Sequence, residues 1–288
     1  MLKINNQKEK AYIFLLIGIT AMASASIIIK LTKAPPLVIA SYRLLISSII
    51  LSLINYKRVK ACSKISNNIL LIFAGLSLGI HFYTWISALF LTSVANAVVL
   101  VNTSPIFISI LVTIIEKKIP SKRFYLSVLV ALIGVFFITY NNDLKIQIGK
   151  GEILSIIGAI TFAIYIYTGR YLSNEVSFIS YITYVYSIAG ICLFLITILL
   201  KIPLTGYSTY TYLNFLLLAL IPQLIGHSST NYAIRILSPT FTSVVLIGET
   251  VIASVFSVIF LKETINLYKL IGISLIIIAV SYASLEEK

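Results

Sequence analysis

The sequence predicts an all-α membrane protein with ten transmembrane helices, arranged as two inverted five-helix repeats. Three observations predict this fold. Of the 288 residues, 59% are hydrophobic and 11% are charged, whereas soluble domains carry about 25% charged residues. Ten apolar runs are long enough to cross a bilayer, and the stretch 88–140 recurs in similar order at 233–285. The lipid bilayer is therefore the expected solvent.

The ten apolar runs set the positions of the predicted helices, since a spanning helix needs roughly 20 mostly apolar residues. The runs are 11–31, 37–55, 69–89, 94–115, 124–141, 151–171, 178–200, 211–232, 239–261 and 268–284. Pro105 and Pro222 lie within or near runs, where a proline removes a backbone hydrogen bond and is expected to kink the helix. The first run is too long for a signal-peptide core, so cleavage after Ala23-Ser24-Ala25 is not expected.

The duplication divides the chain into residues 1–142 and 143–288. In each copy an alanine is followed five residues later by a serine, namely Ala88 and Ser93 in the first and Ala233 and Ser238 in the second. Because five is an odd number, the second copy enters the membrane from the opposite side. Inverted halves of this kind are typical of secondary transporters, whose substrate site lies at the midplane between them.

The basic residues predict the orientation. With the N-terminus inside, 14 lysines and arginines fall on the cytoplasmic side and seven on the other, while Arg43 lies within a helix. This bias predicts a multi-pass plasma-membrane protein with both termini cytoplasmic. The net charge of +13 is spread over short gaps, so it is interpreted as topology charge and no nucleic-acid partner is expected.

A few strongly polar residues lie within the predicted helices, where each needs a physical reason. Glu249, near the centre of the ninth helix, has two interpretations: a contact for a substrate amine or a coupling proton, or a glutamate that fixes helix packing. Arg43 lies about six residues into the second helix. It is expected to snorkel outward or pair structurally, or else to pair with a carboxylate of Glu249 or of the substrate.

The two histidines lie on the third and eighth helices, which are repeat partners. His227 shares a helix face with Gln223, Thr230 and Asn231, and His81 shares one with Ser77, Thr84 and Trp85. A polar stripe in a membrane helix is expected to face the bundle or a cavity. Cavity lining and a structural hydrogen bond both remain open for each histidine.

Further candidate substrate contacts are aromatic or lie beside a proline. Trp85, the only tryptophan, is either a stacking surface or an interface anchor. Tyr83 and Tyr165 are weaker candidates among 18 tyrosines. Asn102 and Ser104 precede Pro105, whose effect on the backbone often opens it to a cavity.

Several motifs in both halves resemble EamA-type transporters of the drug/metabolite transporter superfamily. The resemblance is carried by TSVANA at 92–97, NTSP at 102–105, GH at 226–227, NYA at 231–233, LS at 237–238, GE at 248–249 and KE at 262–263. It implies a ten-helix duplicated bundle with cytoplasmic termini that exports amino acids or other small metabolites. The family commonly has Glu-Pro where this chain has Glu249-Thr250, which removes an expected kink, and often Gly-Glu where it has Lys117-Lys118.

The leading hypothesis is a secondary transporter that moves a small-molecule substrate through a central cavity. The predicted substrate contacts are His81, Tyr83, Trp85, Asn102, Ser104, Tyr165, His227, Asn231 and Glu249. No cofactor, metal or enzymatic activity is expected, because nucleotide-binding and zinc-protease motifs are absent from the sequence. The alternatives are another metabolite class, an intramembrane enzyme with Glu249 and His227 as acid and base, and a scaffold. Oligomeric state is not predicted.

Overall fold

The computed structural model describes residues 2–57, 65–140, 149–261 and 266–285. Within these ranges the chain is helical and forms no strand. Lys262 and Glu263, which carry part of the family resemblance, lie outside the described residues, as does Cys62. The predicted boundary between the halves, at 142/143, also falls outside them and stays a prediction.

Ten helical stretches in the described part are long and apolar enough to cross a membrane, which confirms the predicted number. We number them spans 1 to 10: Gln7–Leu31, Pro36–Asn55, Ile69–Leu91, Asn96–Glu116, Lys122–Thr139, Lys150–Asn174, Phe178–Leu199, Thr209–Ile234, Pro239–Phe260 and Leu267–Ser284. Successive spans run in opposite directions, so an even number returns the chain to its starting side. We call that side the termini side and the other the far side.

Five spans are not single regular helices, including span 6, whose α-helix Lys150–Tyr171 continues as the 3-10 turn Leu172–Asn174. The helices are Leu2–Ala23, Ala25–Leu31, Pro36–Asn55, Ile65–Leu91, Val94–Val101, Ser104–Glu116, Lys122–Thr139, Lys150–Tyr171, Phe178–Leu199, Thr209–Leu218, Ser228–Ile234, Pro239–Ile247, Glu249–Leu261 and Leu267–Ser284. Span 1 is interrupted at Ser24, span 4 at 102–103 and span 9 at Gly248. In span 8, Ala219–His227 forms a π-helix that contains Pro222.

The break in span 9 corrects an expectation. Without a proline after Glu249, the ninth helix was expected to lose its kink, yet it ends at Ile247 and begins again at Glu249. The N–H of Gly248 bonds to the carbonyl of Val245 at 2.9 Å, which closes a tight last turn. A new helix then starts with Val251 N–H donating to the Gly248 carbonyl at 3.1 Å.

The repeated serines have the same structural role in both halves. Ser93 accepts a hydrogen bond from the N–H of Asn96 at 3.1 Å, and Ser238 accepts one from the N–H of Phe241 at 3.2 Å. A serine hydroxyl at this position satisfies one of the unpaired N–H groups that begin a helix. Each serine therefore starts the first half of a broken span.

The two halves interleave. Spans 1, 2, 3 and 5 pack against spans 8, 7, 6 and 10, respectively, so each of these contacts joins the two halves. Small residues permit the close approach that helix packing in lipid requires. A Cβ added to Gly18 in span 1 would meet Thr230 of span 8, and one added to Gly158 in span 6 would meet Thr84 of span 3. These two contacts are equivalent under the duplication.

Candidate functional site

A cavity of about 700 Å³ lies among the spans, with a wall that mixes aromatic, amide, hydroxyl and charged side chains. It is lined from both halves by every span except span 7. This volume falls within the roughly 300–1,000 Å³ usual for small-molecule sites. The sequence-based expectation of a central cavity between the halves therefore has a physical counterpart.

The cavity reaches the far side of the membrane. Its wall includes Lys30 at the end of span 1, Ser93 beside the start of span 4 and Lys269 at the start of span 10. All three positions lie at the far end of their spans; Lys30 and Ser93 are exposed, and Lys269 is partly exposed. The structure is thus open toward the far side.

Buried tyrosines fill the space between the cavity and the termini side. Tyr165 and Tyr181 stack with ring centroids 6.4 Å apart, and the Tyr181 hydroxyl donates to the Tyr165 carbonyl at 2.8 Å. The Tyr186 hydroxyl is 3.3 Å from that of Ser228. We call these three tyrosines the tyrosine layer. All three side chains are fully buried.

The breaks in spans 4 and 9 meet at the cavity wall. Asn102 follows one helix of span 4, Ser104 begins the next, and both lie on the cavity wall. The Asn102 side-chain amide donates to the Thr250 hydroxyl at 3.2 Å. This bond joins equivalent broken spans of the two halves. Broken helices at a repeat interface are a common construction for transporter sites.

Glu249 is the first residue of the helix that follows the break in span 9, and it faces the cavity. Its side chain is partly exposed. No hydrogen bond or ion pair to Glu249 is found in the described part of the chain. In particular, no bond joins it to His227, the partner that the enzyme alternative requires. The carboxylate is available to a ligand amine.

The two histidines both line the cavity and both approach Phe162. The ring centroids of His81 and His227 lie 4.8 Å and 6.1 Å, respectively, from that of Phe162. His81 Nδ1 is 2.9 Å from the Gly158 carbonyl, which can only accept, so this nitrogen carries the proton. His227 Nδ1 is buried without a hydrogen-bond partner among the described residues. His81 therefore both lines the cavity and makes a structural hydrogen bond.

Trp85 lies on the cavity wall, so the interface-anchor interpretation is wrong. Its ring stacks on His81 at 6.2 Å with an interplanar angle of 3°. The side chain is only 9% exposed, and its indole Nε1 has no partner in the described ranges. The wall here presents a flat aromatic surface.

Three of the predicted contacts do not line the cavity. Tyr83 is 40% exposed, because two residues beyond His81 correspond to about 200° around the helix. Tyr165 and Asn231 are fully buried behind the wall, where the Asn231 amide donates to the Tyr165 hydroxyl and, at 2.7 Å, to the His227 carbonyl. We correct the placement of these three residues accordingly.

Arg43 shows the largest difference from expectation. It does not snorkel: the side chain is 1% exposed and belongs to the cavity wall. Its Nε donates to Gln223 Oε1 at 2.8 Å. The signal was present in the sequence, because a charged residue within a membrane helix is by default a candidate functional residue. Thr250 and Lys269 were also missed, and no single-sequence signal separates them from other helix residues.

Comparisons with known proteins agree with this architecture. The EamA-like transporter family matches residues 9–140 and 149–285. A solved structure titled "Crystal structure of protein" superposes with a TM-score of 0.79 over 98% of each chain. At 14% sequence identity, that likeness concerns the fold alone. No curated protein matches the chain. On the family match, over nearly its whole length, this chain belongs to the EamA-like transporter family, and it is a membrane transporter of the drug/metabolite transporter type.

Proposed function

We propose that the protein transports amino acids or closely related small zwitterions by alternating access. The observation that carries the proposal is a cavity between the halves whose wall holds a carboxylate, a guanidinium and aromatic faces. A zwitterion with an apolar body is complementary to such a wall. In this proposal the cavity opens to the far side, while the tyrosine layer closes the termini side.

Glu249 is the proposed contact for the substrate amine. It lies on the side of the cavity formed by span 9, together with Thr250 and Ser254. The hydroxyls of these two residues and the carboxylate are acceptors that suit an ammonium group. The aromatic rings of Trp85 and Phe162 provide a surface for the apolar part of the substrate.

We further propose that the protein lies in the plasma membrane with both termini cytoplasmic, so that the structure is outward-open. The bias of 14 basic residues to seven supports this orientation. Export then requires that the empty carrier return to an inward-open state, in which the tyrosine layer separates. Coupling to a proton at Glu249 is a second part of the proposal.

Counterflow in proteoliposomes tests the substrate class. Vesicles loaded with unlabelled compound would be diluted into labelled amino acids, glucose or adenine at two pH values. Labelled amino acids are expected to accumulate transiently, because counterflow needs only binding and access on both sides. Accumulation of glucose or adenine, without any of the amino acids, would contradict the proposed substrate class. Chemical conversion of a compound by detergent-solubilised protein would revive the enzyme alternative.

A further inference from the structure

Arg43 is a buried cation whose hydrogen-bonding capacity is only partly used. Its Nε donates to Gln223, and the guanidinium carbon lies 4.1 Å from the ring centroid of Phe82. Its Nη1 has no hydrogen-bond partner among the described residues. No described carboxylate lies within ion-pair distance of it, including Glu249 in the same cavity. Because an unpaired buried charge is costly, an anionic group bound beside Arg43 would be stabilising.

The surrounding structure orients the guanidinium. Gln223 belongs to the π-helix Ala219–His227, a geometry that is rare and frequent at functional sites. On the other side, the Ser47 hydroxyl donates to the Arg43 carbonyl at 2.7 Å and is 3.1 Å from the Ala219 carbonyl, which ties span 2 to the start of this π-helix. Phe82 supports one face of the guanidinium. Nη1, on the remaining edge, is buried and has no acceptor among the described residues, while the residue as a whole belongs to the cavity wall.

The charge distribution of the cavity favours an anion near Arg43. The wall contains Arg43, Lys30 and Lys269 against the single carboxylate of Glu249. Lys30 and Lys269 lie at the far-side opening, where positive charge attracts an anionic group toward the cavity. A planar guanidinium then matches a carboxylate better than a lysine ammonium does.

We propose that Arg43 binds the carboxylate of the substrate, while Glu249 takes its amine. Arg43 is then the specificity residue that distinguishes amino acids from amines of the same shape. This assignment rests on the proposed function. It adds the residue that binds the carboxylate end of the zwitterion, which the proposed function leaves unassigned.

The experiment measures ligand binding to the purified full-length chain in lipid nanodiscs by calorimetry. The probes are three sets with a shared side chain: phenylalanine, phenethylamine and 3-phenylpropionate; leucine, 3-methylbutylamine and 4-methylpentanoate; alanine, ethylamine and propionate. In the unsubstituted protein, at least one amino acid is expected to bind more tightly than its amine. Arg43→Gln is expected to weaken binding of that amino acid roughly 10- to 100-fold, and to leave its amine nearly unchanged.

Two further variants separate recognition from folding. Arg43→Lys keeps the charge but loses the planar fork, so an intermediate affinity for the amino acid is expected. Ser48→Ala, a buried residue of the same span that lies outside the cavity wall and, among the described residues, bonds only to the Leu45 carbonyl, is the matched control and is expected to keep the preference for amino acid over amine. If Arg43→Gln does not fold, the comparison of amino acid and amine in the unsubstituted protein still tests the assignment.

The outcomes distinguish the two proposals. Equal binding of amino acid and amine by the unsubstituted protein, or equal loss of both in Arg43→Gln, overturns the role of Arg43 and leaves amino acid transport standing. No binding of any amino acid in the three sets, combined with counterflow of glucose or adenine alone, overturns the proposed function and this assignment with it.

Discussion

At the residue scale, Glu249 is the carboxylate of the cavity wall that is placed to bind a substrate. It begins a helix at the break in span 9, faces the cavity and has no partner among the described residues. A carboxylate in a membrane segment is costly, and such residues mark substrate or proton pathways. Two roles at this residue are separable by experiment, because a substrate contact and a proton site respond differently to loss of the titrating group.

Glu249→Gln removes the charge and the titration while nearly keeping the shape. We expect roughly 10- to 100-fold weaker amino acid binding, because a charge-assisted hydrogen bond is lost. We also expect the dependence of transport on pH to flatten, since glutamine binds no proton. Transport by proteoliposomes across a pH series measures both effects. An unchanged pH profile would remove Glu249 from any proton coupling.

Tyr165 was predicted to contact substrate, and its buried position gives a different expectation. Tyr165→Phe removes the partner of the Asn231 amide and should lower the free energy of unfolding by about 1–3 kcal/mol. Because Tyr165 does not line the cavity, the affinity for substrate should stay the same. Thermal unfolding and binding measured on one preparation check this pair of results. Weakened binding with unchanged stability would restore Tyr165 as a substrate contact.

At the element scale, close helix pairs and helix breaks determine the shape of the cavity. Gly134 in span 5 faces Gly272 in span 10, and a Cβ added to Gly134 would lie 2.8 Å from the Gly272 carbonyl oxygen and 2.7 Å from Ile276. Backbone atoms cannot move aside as a flexible side chain can. The pair of spans 5 and 10 is therefore intolerant of one extra methyl group.

Gly134→Ala is expected to lower the free energy of unfolding by about 1–3 kcal/mol through overpacking. Gly79→Ala is the matched control, because a Cβ there would lie 3.6 Å from its nearest neighbours. The control should be neutral or more stable by about 0.5–1 kcal/mol, since alanine favours a helix over glycine. Thermal unfolding in one detergent compares the two. Equal stability of both variants would contradict the packing described for spans 5 and 10.

The hydrogen bond between the two broken spans is suited to a double-mutant cycle. Asn102→Leu and Thr250→Val each remove one partner of the 3.2 Å bond. We expect a coupling free energy of about 0.5–1.5 kcal/mol between them, measured from the four unfolding curves. A coupling near zero would show that the breaks are held by backbone geometry alone.

The positions of the helices could be predicted from the sequence, but the directions in which some of their side chains point could not. The ten spans were predictable because apolar length is a local property, and the break before Pro105 was predictable because proline acts locally. Which residues of span 8 share a face could not be predicted. The expected stripe through Gln223, His227 and Asn231 assumed a regular helix of about 3.6 residues per turn. The π-helix at Ala219–His227 changes that angle. The burial of Arg43 in the cavity wall could not be predicted either, because it depends on which helices surround span 2, and that is a property of the tertiary structure.

At the scale of the whole molecule, the cavity wall reaches residues at the far side, and the two sides of the chain can be distinguished by labelling. In a variant without Cys62 and Cys192, Ser93→Cys should react with a membrane-impermeant maleimide added to intact cells, because Ser93 lies at the far-side opening. Lys118→Cys should react only after permeabilisation, since Lys118 is 77% exposed at the termini side. The reverse pattern would contradict the proposed cytoplasmic location of the termini.

The interleaving of the halves has a consequence for biosynthesis. Spans 2, 3 and 5 have their most extensive packing against spans 7, 6 and 10, which are all made later. When the ribosome has released the first five helices, span 5 still lacks its partner at Gly134, because span 10 is translated last. Insertion must therefore hold the early helices in a provisional, lipid-covered arrangement, and the finished bundle condenses only after the final helix has left the translocon.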